Sequence, residues 1–156
     1  MSKKAGILGV AVVLLAAAGV MAWQMQASAS PMLVVYKTPT CGCCGLWVDH
    51  MVGAGFEAET HNMDNLSDLK AHYGIRPEYA SCHTTIVDGY VIEGHVPAEF
   101  VERLLEERPT DIAGLTVPGM PIGSPGMEQG DRYDAYDVLA FTKSGETRVY
   151  AHVPGR

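Results

Sequence analysis

The chain of 156 residues carries 11 Lys and Arg against 18 Asp and Glu, a formal net charge of −7, and that balance argues against nucleic acid as a partner. The acid excess is mild enough to read as solvated surface carboxylates, with attraction of cations as a lesser role. No internal repeat is present apart from two Pro-Gly-Met triplets.

Met1, Lys3 and Lys4 precede an apolar run from Ala5 to Trp23, and Ala27-Ser28-Ala29 follows it. Charged start, hydrophobic middle and small-residue cleavage site together predict a signal peptide over residues 1–29, hence export. The apolar run is also long enough to serve as an uncleaved membrane anchor. Removing it takes away Lys3 and Lys4 and no acid, so residues 30–156 are more acidic than the whole. They suffice for a single folded domain, and nothing after Trp23 is apolar for long enough to cross a membrane.

Leu33 to Tyr36 predicts a buried strand, and Leu46 to Ala54, with Trp47, Val48 and Met51 at helical spacing before Gly53 and Gly55, predicts a helix. Phe56 to His61 suits a second strand, and Leu66 to Tyr73 a short helix capped by Asn65 or Asp64 and stopped by Gly74. Thr84 to Val87 and Tyr90 to Glu93 flank Asp88-Gly89, a strong hairpin signal. Pro97 opens a helix whose Phe100, Val101, Leu104 and Leu105 mark one buried face. The predicted class is α/β, in the order β-α-β-α-β-β-α, which is similar to that of the thioredoxin fold.

From Thr116 to Arg132, Pro118, Pro121, Pro125 and several glycines predict a long loop that holds neither helix nor central strand. Tyr136 to Phe141 and Thr147 to His152 predict a closing β-hairpin that docks on the first part.

The chemistry concentrates in Cys41-Gly42-Cys43-Cys44, between the first strand and the first helix. A helix N-terminus favours thiolate over thiol, so these sulfurs are expected to be charged and reactive. Cys41 and Cys44 alone would read as a redox CxxC pair, but Cys43 between them offers wrong pairings, and a bond between adjacent Cys43 and Cys44 would be strained. Structural zinc sites usually repeat the CxxC spacing, whereas this chain has one dense cluster and one distant partner, Cys82. Cu(I) prefers soft sulfur, and crowded thiolates can bridge several ions. Two ordinary disulfides remain the default for four cysteines in an oxidising compartment.

In the predicted topology the third strand runs antiparallel to the first, so Ser81-Cys82-His83-Thr84 lies beside the Cys41 turn. Proteins with the thioredoxin fold typically carry a cis-proline at that position; here Cys82 and His83 occupy it. The returning fourth strand brings Gly94 and His95 to the same edge, which makes His95 a candidate outer ligand. The ring of His83 is expected on the opposite side of an extended segment, with a polar contact favoured over coordination. His50 lies roughly 10 Å down the helix axis from Cys43, too far for the same ion, and is expected as a helix-surface or packing histidine. His61 and Met63 end the second strand on the active edge, where a rim position and a functional one weigh equally; His72 and His152 carry no signal. Met120 and Met127 close the two Pro-Gly-Met triplets, and their thioethers either suit Cu(I) or fill gaps between loop and core.

The blocks Val35-Tyr36-Lys37, Cys41 to Cys44 with Trp47, Ala80 to Thr84, Gly89 to Pro97, Val117 to Pro121 and Gly123 to Met127 resemble the CopG-like family of exported bacterial proteins linked to copper resistance, long catalogued as a domain of unknown function. The resemblance covers nearly all of residues 30–156, with no departure at the four cysteines. It implies a thioredoxin-like periplasmic domain that binds copper through its cysteines in defence against the metal.

The resulting expectation is a copper site of Cys41, Cys43, Cys44 and Cys82 holding more than one Cu(I), with His95, Met120 and Met127 as outer ligands. Mixed sulfur and imidazole ligands would extend this to Cu(I)/Cu(II) redox chemistry. Its partners would be copper ions and other periplasmic copper-handling proteins, with membrane contact only through an uncleaved leader. The rival readings are a thiol-disulfide oxidoreductase with Cys41 as nucleophile and Cys44 as resolving thiol, and a structural zinc module.

Overall fold

The computed structural model describes residues 30–156; the predicted signal peptide or anchor, residues 1–29, lies outside the described residues. Seven strands form one sheet: β1 (Met32–Lys37), β2 (Glu57–Asn62), β3 (Thr84–Val87), β4 (Tyr90–Glu93), β5 (Gly114–Thr116), β6 (Tyr136–Phe141) and β7 (Thr147–Val153). Among the described residues three α-helices accompany them: α1 (Gly42–Gly53), α2 (Ser67–His72) and α3 (Ala98–Glu107). A 3₁₀ turn spans Pro77–Tyr79. Among the described residues no helix is long and apolar enough to cross a membrane.

Strand order is β2-β1-β3-β4-β5-β6-β7. The β1-α1-β2 and β4-α3-β5 segments each join parallel neighbours through a helix, as parallel pairing requires. All other neighbours are antiparallel. Asp88 and Gly89 both take positive φ (47° and 85°), the conformation a two-residue hairpin turn needs.

One face of the sheet packs on α1 and α3 through Leu33, Val35, Trp47, Met51, Ile92, Val101 and Leu104, all inaccessible to solvent. Trp47 Nε1 donates to Val96 O at 2.9 Å, which ties α1 to the segment leaving β4. A smaller core of Ile75, Tyr79, Val91 and Phe141 lies apart from it.

The starts of the first two helices shift from their predicted positions. The first helix begins at Gly42 rather than Leu46, with Cys41 as its extended N-cap residue (φ −75°, ψ 92°), so the cysteine motif is its first turn. The second helix starts one residue late, with Leu66 at its N-cap position and no side-chain cap; Asn65, predicted as the cap, lies one residue earlier and its Oδ1 accepts from Ser67 N at 2.8 Å. Strand β5 is an addition: three residues show no alternation to read, and Thr116, expected to open the long loop, ends this strand instead. A Cβ at Gly114 would collide with the Val91 carbonyl and the Phe141 ring, so only glycine lets β5 approach β4. The hairpin β6-β7 docks through β5 and extends the same sheet.

Between β5 and β6 the chain forms no strand or helix beyond an isolated Gln129–Arg132 bridge. It is nonetheless held down, with Val117, Ser124, Pro125 and Gly126 buried. Val117 N donates to Glu93 O at 3.1 Å and Asp134 N to Ile122 O at 2.9 Å.

Candidate metal centre

The site starts from the α1 N-terminus. The backbone turn, with Cys41 N donating to Thr38 O at 3.1 Å, places three cysteines within four residues. Cys44 points into the core and is fully buried, whereas Cys41 and Cys43 stay partly accessible. The Cys41 and Cys44 sulfurs are bonded, and Cys43 Sγ lies 3.6 Å from Cys41 Sγ. Cys43 and Cys82 are free thiols, so the default of two disulfides is replaced by one.

Cys82 arrives from the other end of the site. Antiparallel pairing of β3 with both β1 and β4 puts the segment before β3 beside the α1 turn, and Gly94 N donates to His83 O at 3.0 Å, continuing the ladder past the end of β4. The sulfurs of Cys41, Cys43, Cys44 and Cys82 all lie within 4.8 Å of one another. The same ladder brings in His95, whose Nε2 is 2.9 Å from Cys82 Sγ. His95 Nδ1 sits 2.7 Å from Pro125 O, an atom that can only accept. The ring proton is therefore on Nδ1, and the bare Nε2 lone pair faces the sulfur. That is how metal-binding imidazoles are commonly oriented, through a hydrogen bond on the far nitrogen.

His83 does not turn away. Its Nδ1 lies 3.5 Å from Cys82 Sγ, and its ring centroid is 4.5 Å from that of Trp47 and 5.1 Å from that of His95. His83 Nε2 is buried with no hydrogen-bond partner among the described residues. One donor atom each from Cys82, His83 and His95 fall within 4.8 Å of one another, a second donor group that shares Cys82 with the first.

Met120 is 52 % exposed, and Met127 is half-buried next to Gly126. Gly126 is wedged against the α1 turn, where a Cβ would lie 2.6 Å from Cys43 O and 2.8 Å from Trp47 N. His50 is exposed on the surface of α1, its Nε2 accepting from Ala98 N at 3.2 Å and so capping α3. His61 stacks on Tyr36 (centroids 5.3 Å apart) and pairs with Glu59; His152 pairs with Asp137.

Burial, and then the neighbouring Cys43, push the Cys82 thiol up to about 12. Burial holds His83 well below the usual histidine range, reinforced by His95, Lys70 and Lys37. Burial also lowers His95, against the opposing Pro125 hydrogen bond and Glu128. Both rings are neutral near pH 7, the form that ligates metals.

Beneath Cys82 lies a cluster that the sequence reading missed. The Glu93 carboxylate, 0 % exposed, pairs with Lys70 of α2, 15 % exposed. It also accepts from Ser81 N at 2.6 Å and Thr84 Oγ1 at 2.7 Å. Burial raises the Glu93 carboxyl, and Lys70 opposes the shift. An acid closing the apolar strand Tyr90–Glu93 was a visible signal; nothing in sequence pointed to Lys70 as its partner.

A family model described as a protein of unknown function, DUF411, matches residues 79–127, the stretch holding Cys82, His83, His95, Met120 and Met127. No curated protein matches. Two solved structures, titled copper resistance protein CopG in form 1 and form 2, are each 42 % identical, with TM-score 0.77. Each is matched over its whole length and over 81 % of this chain. The chain belongs to the CopG family. In this CopG-family protein the four sulfurs and two imidazoles form two soft donor groups that share Cys82 at the end of the sheet and could hold a metal ion.

Proposed function

We propose that the chain binds Cu(I) in copper resistance, through Cys41, Cys43, Cys44 and Cys82 as a polynuclear thiolate site, with His95 and the Met120 and Met127 thioethers as outer ligands. The observation that carries this reading is the meeting of four sulfurs within 4.8 Å, beside a neutral imidazole whose bare nitrogen faces one of them. Soft donors favour Cu(I), and the similarity to the solved copper resistance proteins supplies the link to copper. His83, with an unpartnered nitrogen in the same group, adds a nitrogen donor, and a mixed sulfur and imidazole set is compatible with Cu(I)/Cu(II) interconversion. We read β1 through α3 as a thioredoxin-like unit, and the leader at residues 1–29 as the signal that exports it to the periplasm.

With the Cys41–Cys44 bond closed, only two free thiols face the pocket. A dithiol reductant opens it: two electrons enter the sulfur pair, the bond breaks, and the reductant leaves as a disulfide. Binding at Cys82 must then displace its proton, so copper uptake releases acid.

Anaerobic Cu(I) titration of the reduced protein, with stoichiometry read per chain for the parent and each Cys→Ser variant, tests the site. Loss of copper in all four variants is expected; a parent that takes up no copper after reduction, or prefers zinc, ends the proposal. The Cys41–Cys44 bond favours a second reading, thiol-disulfide exchange with Cys41 attacking and Cys44 resolving. Insulin reduction that stays full in Cys43→Ser and Cys82→Ser variants would favour exchange over metal binding.

A further inference from the structure

Cys82 has no regular element of its own to stand on. It sits in a bend between the 3₁₀ turn and β3. Thr84 pairs with Glu93 across the β3-β4 ladder, so the Glu93 side chain lies at the mouth of this bend. The carboxylate spends its oxygens on the bend and its start: Oε1 accepts from Ser81 N at 2.6 Å, and Oε2 from Thr84 Oγ1 at 2.7 Å. These two partners bracket Cys82 in the chain. Lys70 reaches in from α2, pairs with Glu93 Oε1 and donates to Thr84 Oγ1 at 3.0 Å, closing a loop of hydrogen bonds.

A buried ion pair is weak evidence for stability, since two well-packed apolar residues often serve the fold as well. A carboxylate taken fully from water and aimed at a backbone N–H is better explained by what it orients. Gly94, the next residue, reinforces the point: a Cβ there would strike the Ser81 side chain, so the strand is cut away to let the bend close down.

We propose that Glu93 is a positioning residue that clasps Ser81 and Thr84 and thereby holds the Cys82 sulfur against the α1 cysteines, with Lys70 supplying the charge that keeps the carboxylate buried. The inference rests on the copper-binding reading for its effect on metal, and on geometry alone for its effect on the thiol. Two double variants separate clasp from ion pair. K70M/E93Q removes both charges but keeps an oxygen acceptor for the Ser81 N–H, whereas K70M/E93L removes the acceptor as well.

Two measurements on the reduced full chain read the result. In the first, metal-free protein is treated with iodoacetamide, and alkylation of Cys82 is compared with that of Cys43 in the same molecules by mass mapping. General loosening accelerates both thiols together; loss of the clasp raises the Cys82 to Cys43 ratio in K70M/E93L alone. In the second, Cu(I) is titrated against a chelator, and K70M/E93L is expected to bind at least about tenfold more weakly than K70M/E93Q, as for other groups that orient a ligand. Equal alkylation ratios and equal affinities in the two folded variants overturn the proposal. A parent without copper affinity defeats the functional reading while the alkylation ratio still judges the clasp. If K70M/E93L fails to fold, E93D decides: it keeps the charge beside Lys70 but withdraws the acceptor by one methylene. A ratio and affinity equal to the parent's in E93D would refute the clasp.

Discussion

The two halves of the metal centre are built by opposite means. Cys41, Cys43 and Cys44 are placed by the first turn of one helix, a local arrangement that needs nothing beyond α1 and its docking on the core. Cys82 and His95 are placed by contacts distant in sequence: β3 pairing with β1 and β4, Glu93 on Ser81, and Pro125 on His95. The first half is secured by helix geometry and the second by tertiary closure. Perturbations of the long-range half should therefore disperse the donors while leaving the helix intact, and perturbations of the shared floor should damage both.

The shared floor is Trp47, which gives the largest expected effect. It is fully buried, lies against His83 and anchors α1 to Val96 O. Trp47→Ala should cost about 3–5 kcal/mol in chemical denaturation. A loss under 1 kcal/mol would mean that the two halves do not rest on a common core.

Next is the contact that joins the halves directly. Gly126 has φ +84° and no room for a Cβ between itself and the α1 backbone. Gly126→Ala should destabilise by about 1–3 kcal/mol through overpacking and left-handed strain, and should displace Pro125 from His95. An unchanged midpoint in urea would show that the 117–135 segment is not seated on α1.

Acid should separate the halves more gently. His83 and His95 are held neutral by burial, so the unfolded chain binds protons that the folded chain refuses. Stability must therefore fall as pH drops through and below the ordinary histidine value of 6.5, by up to about 1.4 kcal/mol per pH unit for each ring. Denaturation of the metal-free protein at pH 7.5 and 5.5 measures this, and His83→Phe should flatten the slope. A stability that rises on acidification would contradict the burial of neutral rings.

The same division explains what could be read from the residues alone. The β3 and β4 bounds and the Asp88-Gly89 turn follow from short-range pattern, because alternation and turn chemistry are local properties. The cysteine motif is legible for the same reason. The approach of Cys82 and His95 to it is inferable once the strand order is assumed, since antiparallel pairing carries them there. Lys70 meeting Glu93 is different in kind: it depends on how far one lysine extends from a helix of six residues, which no periodicity encodes. The turn of His83 toward Cys82 was misjudged because period-two alternation was extended to a residue that lies before β3, in a bend. Strand β5 is not legible in the sequence because its three residues carry no alternation, and its close approach to β4 is decided by the missing Cβ of Gly114.

The smallest stability effect carries the sharpest functional contrast. Met120 is half-exposed in the rim of the long-range half, where its neighbour Gly119 bonds to Ala80 beside the Cys82 bend. A side chain so open contributes little packing, so Met120→Leu should leave the stability of the metal-free protein in urea within about 0.5 kcal/mol of the parent's. Leucine keeps the apolar volume and removes the sulfur, which separates thioether ligation from gap filling. Under the proposed ligand set Cu(I) affinity falls while stability stays level; equal affinity in parent and variant strikes Met120 from the donors. The same substitution at the half-buried Met127 should cost somewhat more stability, and comparing the two variants shows whether the outer ligands come from the exposed rim or from the segment wedged on α1.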